Sequence, residues 1–296
     1  MSWFKPVEAS SALRTVLACS WTAAPTGRHR LVPDTCIDLL WTSTNELWVC
    51  GPERTGWDFE VPPGSTIAGV RFRPGTGPAL LGFSAATIAD RRVTLASILD
   101  ETTETAVLAE TGGCSDVDEV RAVLESFVSR LAATIGSRAD TTQHLEFSDR
   151  VLDVLASSPL ANAARLAHDL GMTPRQLLRR SLYSFGYGPA TLARLLRLQR
   201  FLALASTSKH DRHRSISALA IDAGYSDQSH LTRECRLIGR MTPTALLDEY
   251  QPTFPDMSDP FKTSEPLAVT MSDRAMIDRI RTDSGRTRRH RGSSDR

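Results

Sequence analysis

Two clusters of residues in the second half of the chain have the types and spacing needed to hydrogen-bond with base edges and phosphates. The first cluster is Arg175, Leu178, Arg179 and Arg180, and the second is Gln228, Ser229, His230, Thr232 and Arg233. Arginine can donate two hydrogen bonds to the O6 and N7 edge of guanine, and short polar side chains suit other base edges. Arg175 and Arg179 lie one helical turn apart on one face, whereas Arg180 points sideways and suits phosphate better.

A sequence repeat places the two clusters at equivalent positions. The pattern Leu-Ala-x-Asp-x-Gly at residues 166–171 returns at residues 219–224. Beyond the glycine, the matched pairs are Leu177 with Leu231, Arg179 with Arg233, Pro189 with Pro243 and Leu192 with Leu246. Each copy predicts a helix, a tight turn and a second helix with arginine on its open face, which is a helix-turn-helix. We call residues 161–186 the first unit and residues 215–240 the second unit.

Local signals support the helices of the first unit. Gly171 permits the positive φ that ends a helix tightly. Thr173 is a natural N-cap, Pro174 suits the first helical position, and Gln176 completes a capping box. We expect the second helix of this unit to end at Gly186.

The second unit carries comparable signals. Ser215 is expected to cap its first helix, and Gly224 to form the turn. We predict that Ser226 caps the second helix and that Asp227 lies in its first turn, where the helix dipole favours a carboxylate. The residues expected to point inward are Leu177 and Ser181 in the first unit and Leu231 and Cys235 in the second.

The segment Pro189–Ala205 predicts a helix that connects the two units. Leucines recur along it, with Arg194, Arg197 and Arg200 interspersed. Such a connector would hold two recognition helices at a fixed separation. Because adjacent major-groove segments on one face of B-DNA lie about 34 Å apart, a rigid module must match that distance or bend the duplex.

Composition and charge narrow the class of protein. The chain has 296 residues, enough for two domains, and is 41% hydrophobic and 23% charged. It has no apolar run of membrane-spanning length and no signal-peptide pattern, so we expect a cytoplasmic protein without a membrane partner. Net charge is −6 over residues 1–150, +5 over residues 151–250 and +2 over residues 251–296. The basic part is the repeat, which favours a polyanionic partner.

The cysteines and histidines carry no metal or disulfide pattern. The five cysteines are scattered without a CxxC pair, and the seven histidines form no HxxxH or HExxH motif. We therefore expect no zinc site, disulfide framework or cofactor. No nucleophile or paired-carboxylate motif indicates a catalytic residue.

Residues 1–110 predict a β-rich regulatory or sensing domain. All five tryptophans lie within the first 57 residues, and short apolar runs alternate with Pro and Gly turn signals. Asp34, Asp38, Arg71 and Arg73 either line a ligand pocket with the tryptophans or form turn caps and surface ion pairs. The tryptophans themselves are more typical of a core than of a ligand cage.

The remaining segments complete an α+β prediction. Residues 111–150 are expected to be a helical linker or dimerisation segment, in which Val117–Ile135 is an amphipathic helix that packs on the β domain or pairs with a second copy. Residues 136–144 read as a polar linker. Residues 151–250 form the all-α domain with two helix-turn-helix units joined by a long helix. Residues 251–296 are predicted to be a disordered tail, whose closing arginines either attract phosphates or have no role.

Residues 161–250 resemble the DNA-binding domain of AraC-type transcriptional regulators. The resemblance rests on residues 223–233 (Ala-Gly-Tyr-Ser-Asp-Gln-Ser-His-Leu-Thr-Arg) and on Thr242-Pro243. It implies a sequence-specific transcription regulator that acts on double-stranded promoter DNA and RNA polymerase. The implied base contacts are Arg175, Leu178 and Arg179 in the first unit and Gln228, Ser229, His230 and Arg233 in the second. A homodimer and a small-molecule effector are further expected partners.

Three positions depart from that family. It usually has phenylalanine where this chain has Ser181 and Cys235, which are equivalent positions of the two units. It has glycine where this chain has Arg240, with Gly239 one residue early. The N-terminal runs at residues 31–41 and 69–75 are similar to a poorly characterised domain found ahead of such modules, which implies a regulatory or dimerising role.

An alternative hypothesis is a DNA-targeted enzyme or reactive-cysteine sensor with its active site in residues 1–110. The cysteines that could serve are Cys19, Cys36, Cys50 and Cys114. None of them has a helix-start or Cys-His setting that is readable from the sequence. We therefore favour a regulator without enzyme activity.

Overall fold

The computed structural model of the chain describes residues 3–135, 138–158, 162–207 and 215–249. The predicted disordered tail, residues 251–296, lies outside the described residues. Within them, the predicted α+β class is confirmed: strands dominate the N-terminal part, and the rest is helical. No described helix is both long enough and apolar enough to span a membrane.

The described residues of the N-terminal part contain eight strands. They are β1 (Phe4–Val7), β2 (Leu17–Ala23), β3 (Arg28–Leu31), β4 (Ile37–Thr42), β5 (Glu46–Cys50), β6 (Trp57–Glu60), β7 (Ile67–Phe72) and β8 (Arg92–Thr94). Six of them make one antiparallel sheet in the order β1-β2-β7-β4-β5-β8. The other two, β3 and β6, pair as a separate two-stranded ribbon.

The two faces of the sheet differ because side chains alternate along each strand. One face carries apolar residues such as Leu39, Val49, Val70 and Phe72, which are fully buried. The opposite face carries a row that runs across five strands. In that row the paired residues are Cys19, Arg71, Asp38, Cys50 and Arg92. The sheet is therefore apolar on one side and partly polar on the other.

Helices cover the apolar face. They are α1 (Thr76–Leu81), α2 (Leu95–Ile98), α3 (Glu101–Gly112) and α4 (Val117–Ile135). The apolar stripe of α4, with Val120, Leu124, Phe127 and Val128, is buried in the same cluster as Val70. Of the two roles that its sequence allowed, α4 thus packs on the sheet, and its stripe is not left free for a second copy.

The described residues of the C-terminal part contain seven α-helices. They are α5 (Ala139–Ser157), α6 (Ala163–Asp169), α7 (Pro174–Phe185), α8 (Pro189–Thr207), α9 (Ile216–Asp222), α10 (Gln228–Glu234) and α11 (Pro243–Glu249). The predicted linker is wrong over residues 139–144, because α5 already includes them. The sequence pattern does not predict this part of α5, because its side chains are mostly exposed. Apart from Thr141, the buried positions of α5 begin only at Phe147.

Candidate nucleic-acid interface

The first unit has the local geometry that its sequence predicts. Gly171 forms the turn between α6 and α7 with φ +65°. The Thr173 hydroxyl accepts a hydrogen bond from the Gln176 backbone N–H, and the Gln176 side chain accepts one from the Thr173 N–H, so the capping box is confirmed. Gly186 ends α7 in the left-handed conformation, with φ +82°.

The second unit follows the same plan with one correction. Ser215 caps α9 and Gly224 forms the turn with φ +93°, as predicted. The predicted cap at Ser226 is wrong, because Asp227 caps α10 by accepting a hydrogen bond from the His230 N–H at 2.7 Å. That bond lowers the pKa of Asp227, since it stabilises the carboxylate. The Ser226 hydroxyl instead lies 3.1 Å from Nδ1 of the His230 ring.

The inward positions are confirmed in both units. Leu177, Leu231, Ser181 and Cys235 have no solvent-exposed surface. The Ser181 hydroxyl also has no hydrogen-bond partner among the described residues. Two small residues therefore occupy the equivalent core position at which the resembling family usually places a phenylalanine.

On α7 most side chains of the first cluster project outward. Arg175, Leu178 and Arg179 are exposed. Leu178 is unusual because 46% of an apolar side chain is open to solvent. Arg180 is half-buried, and its guanidinium carbon lies 5.6 Å from the centre of the Phe147 ring on α5.

On α10 several polar groups are held by neighbours before any ligand binds. The Ser217 hydroxyl donates to the Gln228 side-chain oxygen, and the Thr232 hydroxyl donates to the Gln228 backbone oxygen. The His230 ring stands edge-on to the Tyr225 ring at 5.2 Å. Ser229 and Arg233 are exposed. This recognition face is therefore more preorganised than that of α7.

Three arginines of the two faces differ from Arg165 and Arg194 in the same domain. Arg165 pairs with Asp169 at 2.9 Å, and Arg194 pairs with Glu234 at 2.9 Å. Within the described part of the chain, Arg175, Arg179 and Arg233 take part in no ion pair and no side-chain hydrogen bond. Their donors are free for a partner outside the protein.

The turn after α10 explains the unusual residue at position 240. The helix passes into a five-residue π-helical turn, Cys235–Gly239, and Arg240 follows with φ +58°. The repeat matches Arg240 with Gly186, and both residues are left-handed. Arg240 therefore adopts the left-handed conformation that Gly186 adopts in the first unit. Gly239 does not take over this role.

The N-terminal part contacts both units and the connecting helix. Near the first unit, a Cβ at Gly186 would lie 2.6 Å from Pro52 Cγ. Near the second, the Gly56 N–H donates to the Ile238 oxygen at 2.6 Å, and Arg30 reaches the Gly239 oxygen at 3.4 Å. These contacts join residues far apart in sequence, and no local sequence pattern predicts them.

A cavity of about 1200 Å³ lies between the polar face of the sheet, the β3–β6 ribbon and the second unit. The residues that it takes from the C-terminal part are Gln199, Arg240, Met241 and Leu246. Four of the five tryptophans line it, whereas Trp41 faces the apolar side of the sheet. The Gln199 amide also donates to the Pro33 oxygen at 2.5 Å, which fixes α8 against the cavity wall.

An ion network forms part of the cavity wall. Arg71 pairs with Asp34 at 2.9 Å and with Asp38 at 2.9 Å. These three residues therefore line the cavity and also form ion pairs with one another that are mostly buried rather than at the surface. The ligand-pocket interpretation stays a prediction. Arg73 does not line the cavity. The Trp21 ring lies over Gly69, where a Cβ would be 2.4 Å from the indole, and donates to Asp38.

The cysteines are poorly suited to nucleophilic chemistry. All five are free thiols. Burial raises the pKa of Cys19 and Cys36 well above the usual range, and raises that of Cys50 to about 12. Partial burial and nearby carboxylates also raise the pKa of Cys114. The described residues contain no cluster of side chains that could hold a metal ion.

The fold and the two outward faces define a DNA-binding protein of the helix-turn-helix class. Residues 166–249 match the family described as "Helix-turn-helix domain", and residues 5–94 match "Domain of unknown function (DUF6597)". The chain is a DNA-binding transcription regulator with an AraC-type helix-turn-helix domain on its C-terminal side and a DUF6597 domain on its N-terminal side.

Similar solved structures include ToxT from Vibrio cholerae. One at 1.65 Å resolution has 11% identity and a TM-score of 0.43, covering 84% of this chain and 100% of that chain. Another, of wild-type ToxT bound to an unsaturated fatty acid, has 12% identity and a TM-score of 0.42, covering 80% and 95%. No curated protein matches the chain.

Proposed function

We propose that this regulator reads DNA by placing α7 and α10 in adjacent major-groove segments, with α8 setting their separation. The observation that carries the proposal is the pair of equivalent outward faces, on which Arg175, Arg179 and Arg233 make no ion pair and no side-chain hydrogen bond within the described residues. An unpaired guanidinium on a helix face can satisfy its donors on guanine or phosphate.

In the first unit, Arg175 and Arg179 would bind guanine edges. Leu178 would contact a thymine methyl group, which gives an exposed apolar side chain a partner. Arg180 would bind a phosphate beside the groove, and its position over Phe147 would fix the direction of its guanidinium.

In the second unit, Arg233 would bind guanine. Gln228, Ser229, His230 and Thr232 would contact neighbouring base edges. Because neighbouring hydroxyls already hold Gln228 and His230, these two side chains would lose little rotamer freedom on binding.

The experiment is selection of bound duplexes from random DNA by the full chain. We expect an enriched motif with two conserved blocks whose centres lie about 10 base pairs apart, one helical turn. A single conserved block would overturn the two-helix proposal. An Arg165→Ala variant is the matched control and should select the same motif. Arg165 is exposed in the same domain, but it is paired with Asp169 on α6.

We further propose that residues 1–110 sense an effector and that residues 151–250 bind DNA. Of the connecting helices in residues 111–150, α4 packs on the sheet and α5 packs in the helical core. The cavity next to the second unit supports a small-molecule effector, since its occupant would touch both parts. RNA polymerase and a second copy of the chain are the further partners that we propose, with action in the cytoplasm.

We propose no enzyme activity for residues 1–110. The raised thiol pKa values support this, because a thiol that stays protonated is a weak nucleophile. Incubation with alkylated DNA, followed by mass spectrometry, should leave Cys19, Cys36, Cys50 and Cys114 unmodified. Stoichiometric transfer of an alkyl group to one of them would restore the reactive-cysteine alternative.

A further inference from the structure

In the cavity wall that the sheet forms, carboxylates outnumber guanidinium groups. Two carboxylates, Asp34 and Asp38, share the single guanidinium of Arg71. Beside them Glu53 pairs with Arg92 at 2.6 Å, which adds no net charge. Five charged groups on this wall therefore carry one excess negative charge, and no more than a third of any of these side chains is exposed.

The two carboxylates that share Arg71 are not equally available. Asp38 accepts two hydrogen bonds from Arg71 and one from the Trp21 indole. Asp34 forms an ion pair with one Arg71 nitrogen at 2.9 Å and accepts a hydrogen bond from the Cys36 backbone N–H, and its side chain is 32% exposed against 15% for Asp38. Burial raises the pKa of Asp34, while the nearby Arg71 guanidinium lowers it. Asp34 is thus the carboxylate that an occupant of the cavity would meet.

The other positive groups of the cavity are either paired or exposed. Arg30 is 21% exposed, but it is paired through two hydrogen bonds with Asp58. The Arg28 side chain is 72% exposed and pairs with the same carboxylate, and Arg240 is exposed at the edge of the second unit. Because water weakens the field of exposed charges more than that of buried ones, Arg28 and Arg240 are screened more strongly than Asp34, whose side chain is 32% exposed.

Aromatic rings provide the other walls. Trp21 lies 5.3 Å from Phe4, Phe4 lies 5.7 Å from Trp3, and Trp3 lies 5.7 Å from Phe59. Ring faces attract cations, and more strongly where water is excluded. The Trp57 ring already holds one cation in this way, with the Arg92 guanidinium carbon 3.3 Å from its centre.

We propose that the cavity binds an organic cation with an apolar body, its charge against Asp34 between aromatic walls and its body against Met241 and Leu246 of the C-terminal domain. The cation is a protonated amine, an amidinium or an onium group. This inference rests on the proposed effector role of the cavity and names the class of effector. Because the apolar body touches the helix-turn-helix side, cation binding and DNA binding are coupled in both directions.

The test uses two probes of the same shape and opposite charge, tetraphenylphosphonium and tetraphenylborate. Isothermal titration calorimetry of the full chain without DNA measures each dissociation constant. We expect the phosphonium to bind about tenfold or more tightly than the borate. Quenching of tryptophan fluorescence by the bound phosphonium would place it in the cavity. Equal binding, tighter binding of the borate, or no binding of the phosphonium would overturn the proposal.

Substitutions of Asp34 test whether its carboxylate binds the phosphonium. Asp34→Asn should weaken phosphonium binding about tenfold and leave borate binding equal or stronger, while Asp34→Glu should retain phosphonium binding. Asp118→Asn is the control, since Asp118 is a mostly exposed carboxylate outside the cavity. Unchanged phosphonium binding by folded Asp34→Asn would overturn the assignment. If that variant does not fold, the two probes on the natural chain still decide. DNA selection is independent of both results, so failure here leaves the DNA-binding proposal standing.

Discussion

The two helix-turn-helix units share a local plan but are held differently by the N-terminal part. The first unit ends at Gly186, which packs so closely against Pro52 and the Ala85 backbone that a Cβ has no room. The second unit ends at Arg240, and it is held by hydrogen bonds to Ile238 and Gly239 beside a large cavity. Close packing resists movement, whereas a few polar contacts at a cavity permit it. If the cavity binds an effector, as we propose, this difference predicts that the effector acts on the second unit and that the first serves as the fixed reference.

The largest effect is expected from Gly186→Ala. A methyl group at this left-handed residue would meet Pro52 and the Ala85 oxygen, so we expect the free energy of unfolding to fall by about 2–4 kcal/mol. Chemical denaturation measures it. Gly171→Ala is the control, since Gly171 is also left-handed but has open space around it. A loss near 1 kcal/mol is expected for the control. Equal losses would show that packing does not anchor the first unit.

The next effect concerns DNA affinity and separates the two recognition faces. Arg179→Ala and Arg233→Ala should each weaken binding to the selected site by about 1–3 kcal/mol, because each removes a two-bond contact to guanine. Each should relax base preference in a different block of the motif. Fluorescence anisotropy with single-base variants of the site measures both. Uniform loss on every sequence would reassign the arginine to phosphate.

Arg30→Ala tests how the second unit is held. Loss of the contact to Gly239 should speed amide hydrogen exchange in the 238–241 turn by about tenfold and leave the turn at Gly186 unchanged. Arg28→Ala is a close control, because Arg28 pairs with the same Asp58 but makes no hydrogen bond to Gly239 among the described residues. Faster exchange in both turns, or the same change with Arg28→Ala, would remove the distinction between the units.

The smallest effect is expected from Arg240→Gly. Glycine adopts the left-handed conformation without the steric cost that arginine bears, so the free energy of unfolding should rise by about 0.5 kcal/mol. Arg236→Gly, in the preceding turn, should instead lower it by about 1 kcal/mol. A clear loss of stability with Arg240→Gly would mean that the arginine side chain itself holds the turn.

Local features of both units could be read from the sequence because they depend on residues within a few positions. The capping box at Thr173, the turns at Gly171 and Gly224 and the inward leucines are of this kind. The sequence predicts the cap of α10 one residue too early, at Ser226, because serine and aspartate both suit that role. Only the direction of the His230 N–H decides between them.

The contacts between the two parts could not be predicted in this way. Gln199 bonds to Pro33, and Gly56 bonds to Ile238, across long stretches of chain that no local pattern relates. The same holds for the cavity, where Asp34 and Arg71 meet only once β4 and β7 have paired. The sequence identifies these residues as candidates, but only the folded structure shows that they line the same cavity.

The central claim is that two helices read two neighbouring groove segments, and methylation interference at guanine N7 on the selected duplex tests it most directly. For the natural chain we expect two clusters of interfering guanines about 10 base pairs apart on one face of the duplex. Arg179→Ala should remove interference at a guanine of one cluster, and Arg233→Ala should remove it at a guanine of the other. A single cluster, or loss of the same guanines in both variants, would contradict the claim.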